Sequence, residues 1–180
     1  HGYAGVDCGE GTAARLQKMT QSLVRTGVTT ALAGFYPTKN DGLQRAARNW
    51  NNWSALGGKR THIAGWHVEG PFVAREMSGA LPKAAMRKPS AKTAQEFVDA
   101  CDGWLTMTTL APELEGAFEA SEVLRANKVI PSVGHSRATA LDCEVLRANG
   151  KIAATHLGNR MTSLSARELG PIGAAMRGEI

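Results

Sequence analysis

Cysteine, long apolar runs and clustered charge are all scarce in this sequence, and each shortage closes off a class of protein. Three cysteines in 180 residues, Cys8, Cys101 and Cys143, form no Cys-x-x-Cys pair. That count argues against a disulfide framework and against a thiolate zinc site, and a reducing, cytoplasmic setting is expected. The longest stretch without a charged side chain, residues 26–38, contains threonines, glycines and a proline, and is too short and too polar to cross a bilayer. No basic region followed by an apolar segment opens the chain, so no secretory signal is expected. A start at His1 without an initiator methionine, and an end at Ile180, are expected of a piece of a longer protein. Lysine and arginine (21) exceed aspartate and glutamate (16), for a net charge of +5 and a pI near 9.4. The basic residues are dispersed among acids, with no run of five, so nucleic acid is not the expected partner. An anionic small molecule is compatible with the balance. Gly-x-Ser-x-Gly, P-loop and dinucleotide fingerprints are absent.

Against these absences stands a regular alternation of two hydrophobic periods. Residues 12–26 set Leu16, Met19 and Leu23 on one helical face, and residues 41–56 do the same with Leu43, Ala46, Ala47, Trp50 and Trp53. Helices are also predicted over 91–102 after the candidate cap Ser90, over 114–127, and over 137–149 after Ser136 and up to Gly150. Between them lie short runs rich in Val, Ile, Leu and Thr at 29–35, 62–68, 105–110, 129–133 and 152–155, the pattern of buried parallel strands. Strand and helix in turn specify a parallel sheet with helices packed on it, either open and doubly wound or closed into a (β/α)8 barrel. Residues 73–90 form a long excursion after one strand, and nothing marks a second domain.

The informative polar residues fall at strand ends. Side chains alternate along a strand, so His67 and Glu69 share a face while Trp66 and Val68 point to the helices; Gly70-Pro71 is expected to turn the chain away after Glu69. By the same alternation His135 is placed with Pro131 and Val133, and His156 with Ile152 and Ala154. In parallel α/β proteins the carboxyl ends of the strands surround the ligand site, so Glu69, His135 and His156 would converge there. Imidazole and carboxylate are the ligands of a catalytic divalent metal, which leaves a position for an activated water. A lone histidine at a strand end is more often a hydrogen-bonded structural residue, and it is the coincidence of three that raises the metal reading. His62 keeps the structural reading, and Glu113 reads as a favourable charge in a helix's first turn. The cysteines read as packing residues, and Trp50 and Trp53 as helix-to-sheet packing.

The same segments resemble a known family. Gly65-Trp66-His67-Val68-Glu69-Gly70-Pro71-Phe72, Thr109-Leu110-Ala111-Pro112-Glu113, Gly134-His135-Ser136 and Thr155-His156-Leu157-Gly158-Asn159-Arg160-Met161 are, in that order, similar to the signature of the N-acetylglucosamine-6-phosphate deacetylases of the amidohydrolase superfamily. The opening His1-Gly2-Tyr3-Ala4-Gly5-Val6-Asp7 is similar to the second histidine of that superfamily's His-x-His strand and its sequel. The resemblance implies an α/β fold of the (β/α)8 TIM-barrel, metal-dependent hydrolase type, of which residues 1–180 would be one partial catalytic domain. It implies removal of acetate from a phosphorylated amino sugar, N-acetylglucosamine 6-phosphate, with one or two divalent ions, zinc or iron, as cofactor. Glu69, His135 and His156 match the family's metal ligands, and His1 matches a ligand of members that hold two ions. Asn159 and Arg160 match backbone positions that hold the substrate, and Arg167 a residue that contacts the sugar phosphate across a homodimer interface.

Two positions depart from the family pattern: Leu81 stands where a histidine is usual, and Arg160 where a small residue is usual. Both bear on which acylated amine is accepted. The resemblance places the aspartate that acts as general base beyond Ile180, and the first histidine of the His-x-His strand before His1, so neither is among the 180 residues. The chain taken alone is therefore expected to be inactive. Two other readings are compatible with the residues: an amidohydrolase for another N-acyl sugar or a cyclic amide, and a catalytically inactive metal-binding scaffold.

Overall fold

A computed structural model describes all of residues 1–180. After a hairpin of β1 (Gly2–Tyr3) and β2 (Val6–Asp7) come α1 (Ala13–Val24), β3 (Thr30–Phe35), α2 (Asn40–Ser54), β4 (His62–Phe72), α3 (Ala91–Ala100), β5 (Leu105–Leu110), α4 (Ala117–Ala126), β6 (Ile130–Val133), α5 (Ala140–Arg147), β7 (Ala153–Ala154) and α6 (Gly170–Met176). Strands β3 to β7 form one parallel sheet in the order β3-β4-β5-β6-β7. A doubly wound sheet reverses its strand order at a switch point. Here each strand adds beside its predecessor, so same-handed crossovers place the helices on a single face. The result is an α/β half-barrel.

The helix-facing side carries one apolar cluster, in which Phe35, Trp66, Val68, Leu110 and Val133 of the strands meet Leu16, Leu43, Trp50, Phe97, Leu124 and Leu146 of the helices. Trp50 and Trp53 pack edge to face at 5.0 Å inside it, as packing residues should. Register assigns the opposite, inner face: Met107 pairs with His67, and Thr109 with Ser132. That face is hydroxylic, with Thr155 Oγ1 lying 2.9 Å from Thr109 Oγ1 and 2.8 Å from Ser132 Oγ.

Several boundaries differ from the sequence expectation. Strand β4 does not end at Glu69. Pairing is interrupted after Val68 and resumes at Phe72 opposite Leu110, so the carboxylate sits inside an irregular strand rather than past its end. Helix α5 begins at Ala140, where Thr139 and Asp142 form a reciprocal capping box, and Ser136 is left free for another role. Helix α4 starts after Gly116, so Glu113 lies in the preceding turn and not in a helical first turn. The β1–β2 hairpin and α6 are not legible from periodicity, being two residues per strand and one short glycine-rich helix.

Candidate metal centre

The carboxyl ends of the strands bring three distant side chains to one point. Glu69 Oε1 stands 2.8 Å from His135 Nε2 and 2.7 Å from His156 Nε2, and the two imidazole nitrogens are 3.1 Å apart. His1 Nε2 lies 2.8 Å from the other oxygen, Glu69 Oε2. The His1 ring stacks on Tyr36 with centroids 3.6 Å apart and rests over Gly34, which sets the chain's first residue against the end of β3. Glu69, His135 and His156 thus bring their potential ligand atoms together, and His1, the fourth residue named from the sequence, meets them through Glu69 Oε2.

The route by which two of them arrive differs from simple alternation. Register pairs Val133 with Leu110 and with Ala154, and both Val133 and Leu110 belong to the helix-side core. Strict alternation would send His135 and His156 to that buried side. Both residues instead adopt left-handed backbone, φ 49° and 36°, and this swings the rings onto the inner rim. Such a conformation is uncommon for a residue with a Cβ and persists only where the surroundings over-determine it.

Those surroundings also set the tautomer of the rings. His135 Nδ1 donates to the Met77 carbonyl at 2.8 Å, and His156 Nδ1 to the Asn159 carbonyl at 3.1 Å. A carbonyl only accepts, so in a neutral ring the proton is on Nδ1 and Nε2 is a lone pair. Two lone pairs and a carboxylate oxygen therefore face one another at hydrogen-bond distance. The repulsion is relieved either by a second proton on a ring or by a cation. Imidazole nitrogens oriented through a carbonyl on Nδ1, plus one carboxylate, form the donor set of a divalent metal, and the residues fit one. Where a ring takes the second proton its Nε2 donates to Glu69, and it is this bond, from His135 first, that holds the Glu69 carboxyl below its ordinary value of 4.5; desolvation opposes this, and the His156 bond adds to it. His67, one layer beneath, has Nε2 3.1 Å from Thr109 Oγ1. Burial lowers its pKa from 6.5, against the pull of Glu69, which favours the neutral ring.

The remaining sequence-derived residues stand around this centre rather than in it. The Asn159 amide donates to the His156 carbonyl at 2.9 Å, which closes the turn that holds His156. Arg160 is also left-handed, φ 52°; its carbonyl accepts from Ser136, and its side chain lies along Gly79 in the loop after β4. Arg167 is exposed on the segment before α6, and its guanidinium has no partner within the chain. Leu81, the residue that replaces a histidine, is buried. Ile180 takes no part in the centre: it is half-buried and packs against the helix-side apolar cluster. Glu113 departs from the helix-charge expectation: its carboxylate accepts from Ser136 Oγ at 2.6 Å and from the Arg137 amide at 2.5 Å. Its place in the Ala111-Pro112-Glu113 segment is a signal, but nothing local says what a carboxylate there will meet.

A parallel half-barrel whose inner rim gathers imidazole and carboxylate is a framework that fits the metal-dependent hydrolases. Known proteins narrow the class. The chain is 32% identical over 183 residues to N-acetylglucosamine-6-phosphate deacetylase of Bacillus subtilis, covering 98% of this chain and 45% of that protein. It is 29% identical to N-acetylgalactosamine-6-phosphate deacetylase of Escherichia coli O157:H7, over 98% of this chain and 47% of the relative. It superposes with a TM-score of 0.82 and 30% identity on N-acetyl-D-glucosamine-6-phosphate deacetylase of Mycobacterium smegmatis, solved as a mutant in complex with N-acetyl-D-glucosamine-6-phosphate, covering 99% of this chain and 45% of that one. No protein-family model matches. The chain is, along nearly its whole length, a homologue of the N-acetylglucosamine-6-phosphate deacetylases, and it spans about half the length of the relatives it matches. No helix is long and apolar enough to cross a membrane.

Proposed function

We propose that the chain is the metal-binding half of a (β/α)8 barrel enzyme that hydrolyses N-acetylglucosamine 6-phosphate to glucosamine 6-phosphate and acetate, in the cytoplasm and as a homodimer. The observation that carries this reading is the convergence of His135 Nε2, His156 Nε2 and Glu69 Oε1, with both Nδ1 protons committed to carbonyls. Glu69, His135 and His156 would hold one divalent ion, zinc or iron, and Glu69 Oε2 with His1 offers donors to a second. When bound, such an ion supplies Lewis acidity, polarising an amide carbonyl and lowering the pKa of a water.

The chain's own groups then position and confine. The Met77 and Asn159 carbonyls keep the imidazoles in the tautomer that presents Nε2. The Asn159 backbone is engaged with His156 and the Arg160 carbonyl with Ser136, which leaves the Arg160 amide as the backbone group offered to the sugar. Arg167, exposed and without a partner, is suited to bidentate contact with a phosphate on the neighbouring subunit. The base that takes the water's proton is expected to be an aspartate beyond Ile180, so the 180-residue chain alone should not turn over substrate. A second reading, hydrolysis of a different N-acyl amino sugar, is favoured by Leu81 and by Arg160.

Two measurements on the full-length protein test the proposal. Elemental analysis should find bound zinc or iron in the wild type and little in Glu69→Gln or His135→Ala; unchanged content in both variants would remove the assigned ligands. Rates on N-acetylglucosamine 6-phosphate should far exceed those on the unphosphorylated sugar, and equal rates would remove the phosphate role of Arg167.

A further inference from the structure

We propose that Glu113, which lies outside the ligand cluster, is the positioning residue that holds His135 in its ligand geometry. This rests on the metal reading of Glu69, His135 and His156. The two histidines are oriented by different means. His156 is held within its own turn, because the Asn159 carbonyl that accepts from Nδ1 is only three residues away. His135 has no such local support. Its Nδ1 partner, the Met77 carbonyl, lies 58 residues back in the chain, and its own carbonyl accepts from Ala74 at 2.9 Å. The backbone just after His135 must therefore be fixed from outside, or the left-handed turn at φ 49° relaxes and the ring leaves the rim.

The Ser136 amide is tied to the Arg160 carbonyl at 3.0 Å, and Glu113 supplies the second restraint, on the Ser136 side chain and the Arg137 amide. One carboxylate spans two consecutive donors, the Ser136 hydroxyl at 2.6 Å on Oε2 and the Arg137 amide at 2.5 Å on Oε1. The Ser136 oxygen in turn accepts from the Ala138 amide at 2.9 Å, and Ser136 is fully buried. Charge-assisted bonds of this kind are about twice as strong as neutral ones. Glu113 is itself anchored to the Glu69 strand: Ala111 donates to the carbonyl of Phe72, the last residue of β4, at 2.8 Å, and Leu114 closes back on the Ala111 carbonyl. A short chain of bonds thus runs from the strand that carries Glu69, through Glu113, to the residue after His135.

The test uses the full-length protein, with metal affinity read by chelator competition and folding read by Tm. Glu113→Ala should weaken zinc binding about 10- to 100-fold, the range for losing a group that orients a metal ligand. Glu113→Gln, of equal size, should fall between that variant and the wild type, since its amide oxygen can accept from one donor but not replace both. The control is Thr139→Ala, which removes the α5 cap four residues beyond His135 and leaves the Glu113 bonds in place. It should lower Tm with zinc affinity unchanged. In the apo protein, the NMR resonance of the His135 Nδ1 proton should shift or vanish in Glu113→Gln and stay in Thr139→Ala. Zinc affinity within twofold of wild type in both Glu113 variants would overturn the assignment, as would an equal loss in Thr139→Ala for the same fall in Tm. A wild-type protein that binds no divalent ion would remove the site itself, which is a different result from an intact site indifferent to Glu113.

Discussion

Glu69 is shared among three imidazoles: one carboxylate oxygen faces two of them and the other faces a third. Its pKa is depressed, so its share of stability is present above the ordinary carboxylate value of 4.5 and is lost as pH falls through the lower, folded value. The wild type should therefore lose Tm on acidification below about pH 4.5 more steeply than Glu69→Gln. A pair of Tm-against-pH curves checks this, and parallel curves would contradict it. The three thiols lie at the other extreme. Burial pushes Cys8 up to about 11, and Cys101 and Cys143 up to about 12, and all three are free and buried. Almost no thiolate is present at pH 8, so native protein should not react with a disulfide reagent until denaturant is added. Absorbance of the released thiol reports it directly.

Strand β4 shows how one element serves two faces. Its even-numbered apolar residues, Trp66 and Val68, enter the helix-side core, while His67 and Glu69 look inward. Gly65 starts this stretch at φ 137°, and a Cβ there would land on the Thr106 hydroxyl and lie 2.9 Å from the Trp104 carbonyl. Gly65→Ala should destabilise by about 1–3 kcal/mol from backbone strain alone, visible in a urea titration as a lower midpoint. Helix α2 is held by Trp50, fully buried, whose indole donates to the Cys8 carbonyl at 2.9 Å and so ties the helix to the β2 segment. Trp50→Ala should cost about 3–5 kcal/mol, and Trp50→Phe, which keeps most of the apolar area, clearly less.

Residues 1–180 form an open curved sheet rather than a closed cylinder. Strands β3 and β7 each pair on one side only, and the inner face leaves Ile130 40% exposed. Unpaired strand edges recruit other strands. A polypeptide confined to residues 1–180 should therefore associate with rising concentration in size-exclusion chromatography and show no deacetylase turnover. A monodisperse, active monomer would contradict both statements.

The helices and strands are legible in the sequence because their causes are short-ranged: a helix face repeats every 3.6 residues and a strand face every two, so Leu16 with Met19 and Trp66 with Val68 declare their sides within a few positions. The candidate ligands are legible as residue types, Glu and His, near strand ends. Alternation alone, however, would bury His135 and His156 among the helices, and only the left-handed turns bring them to Glu69. Those turns are held by bonds between segments far apart in the chain, such as Met77 to His135 and Glu113 to Arg137. The sequence thus settled which chemistry was on offer and on which elements it lay. Tertiary structure decided where it met, because groups 66 and 87 residues apart come within 3 Å only when strand register and loop contacts are in place.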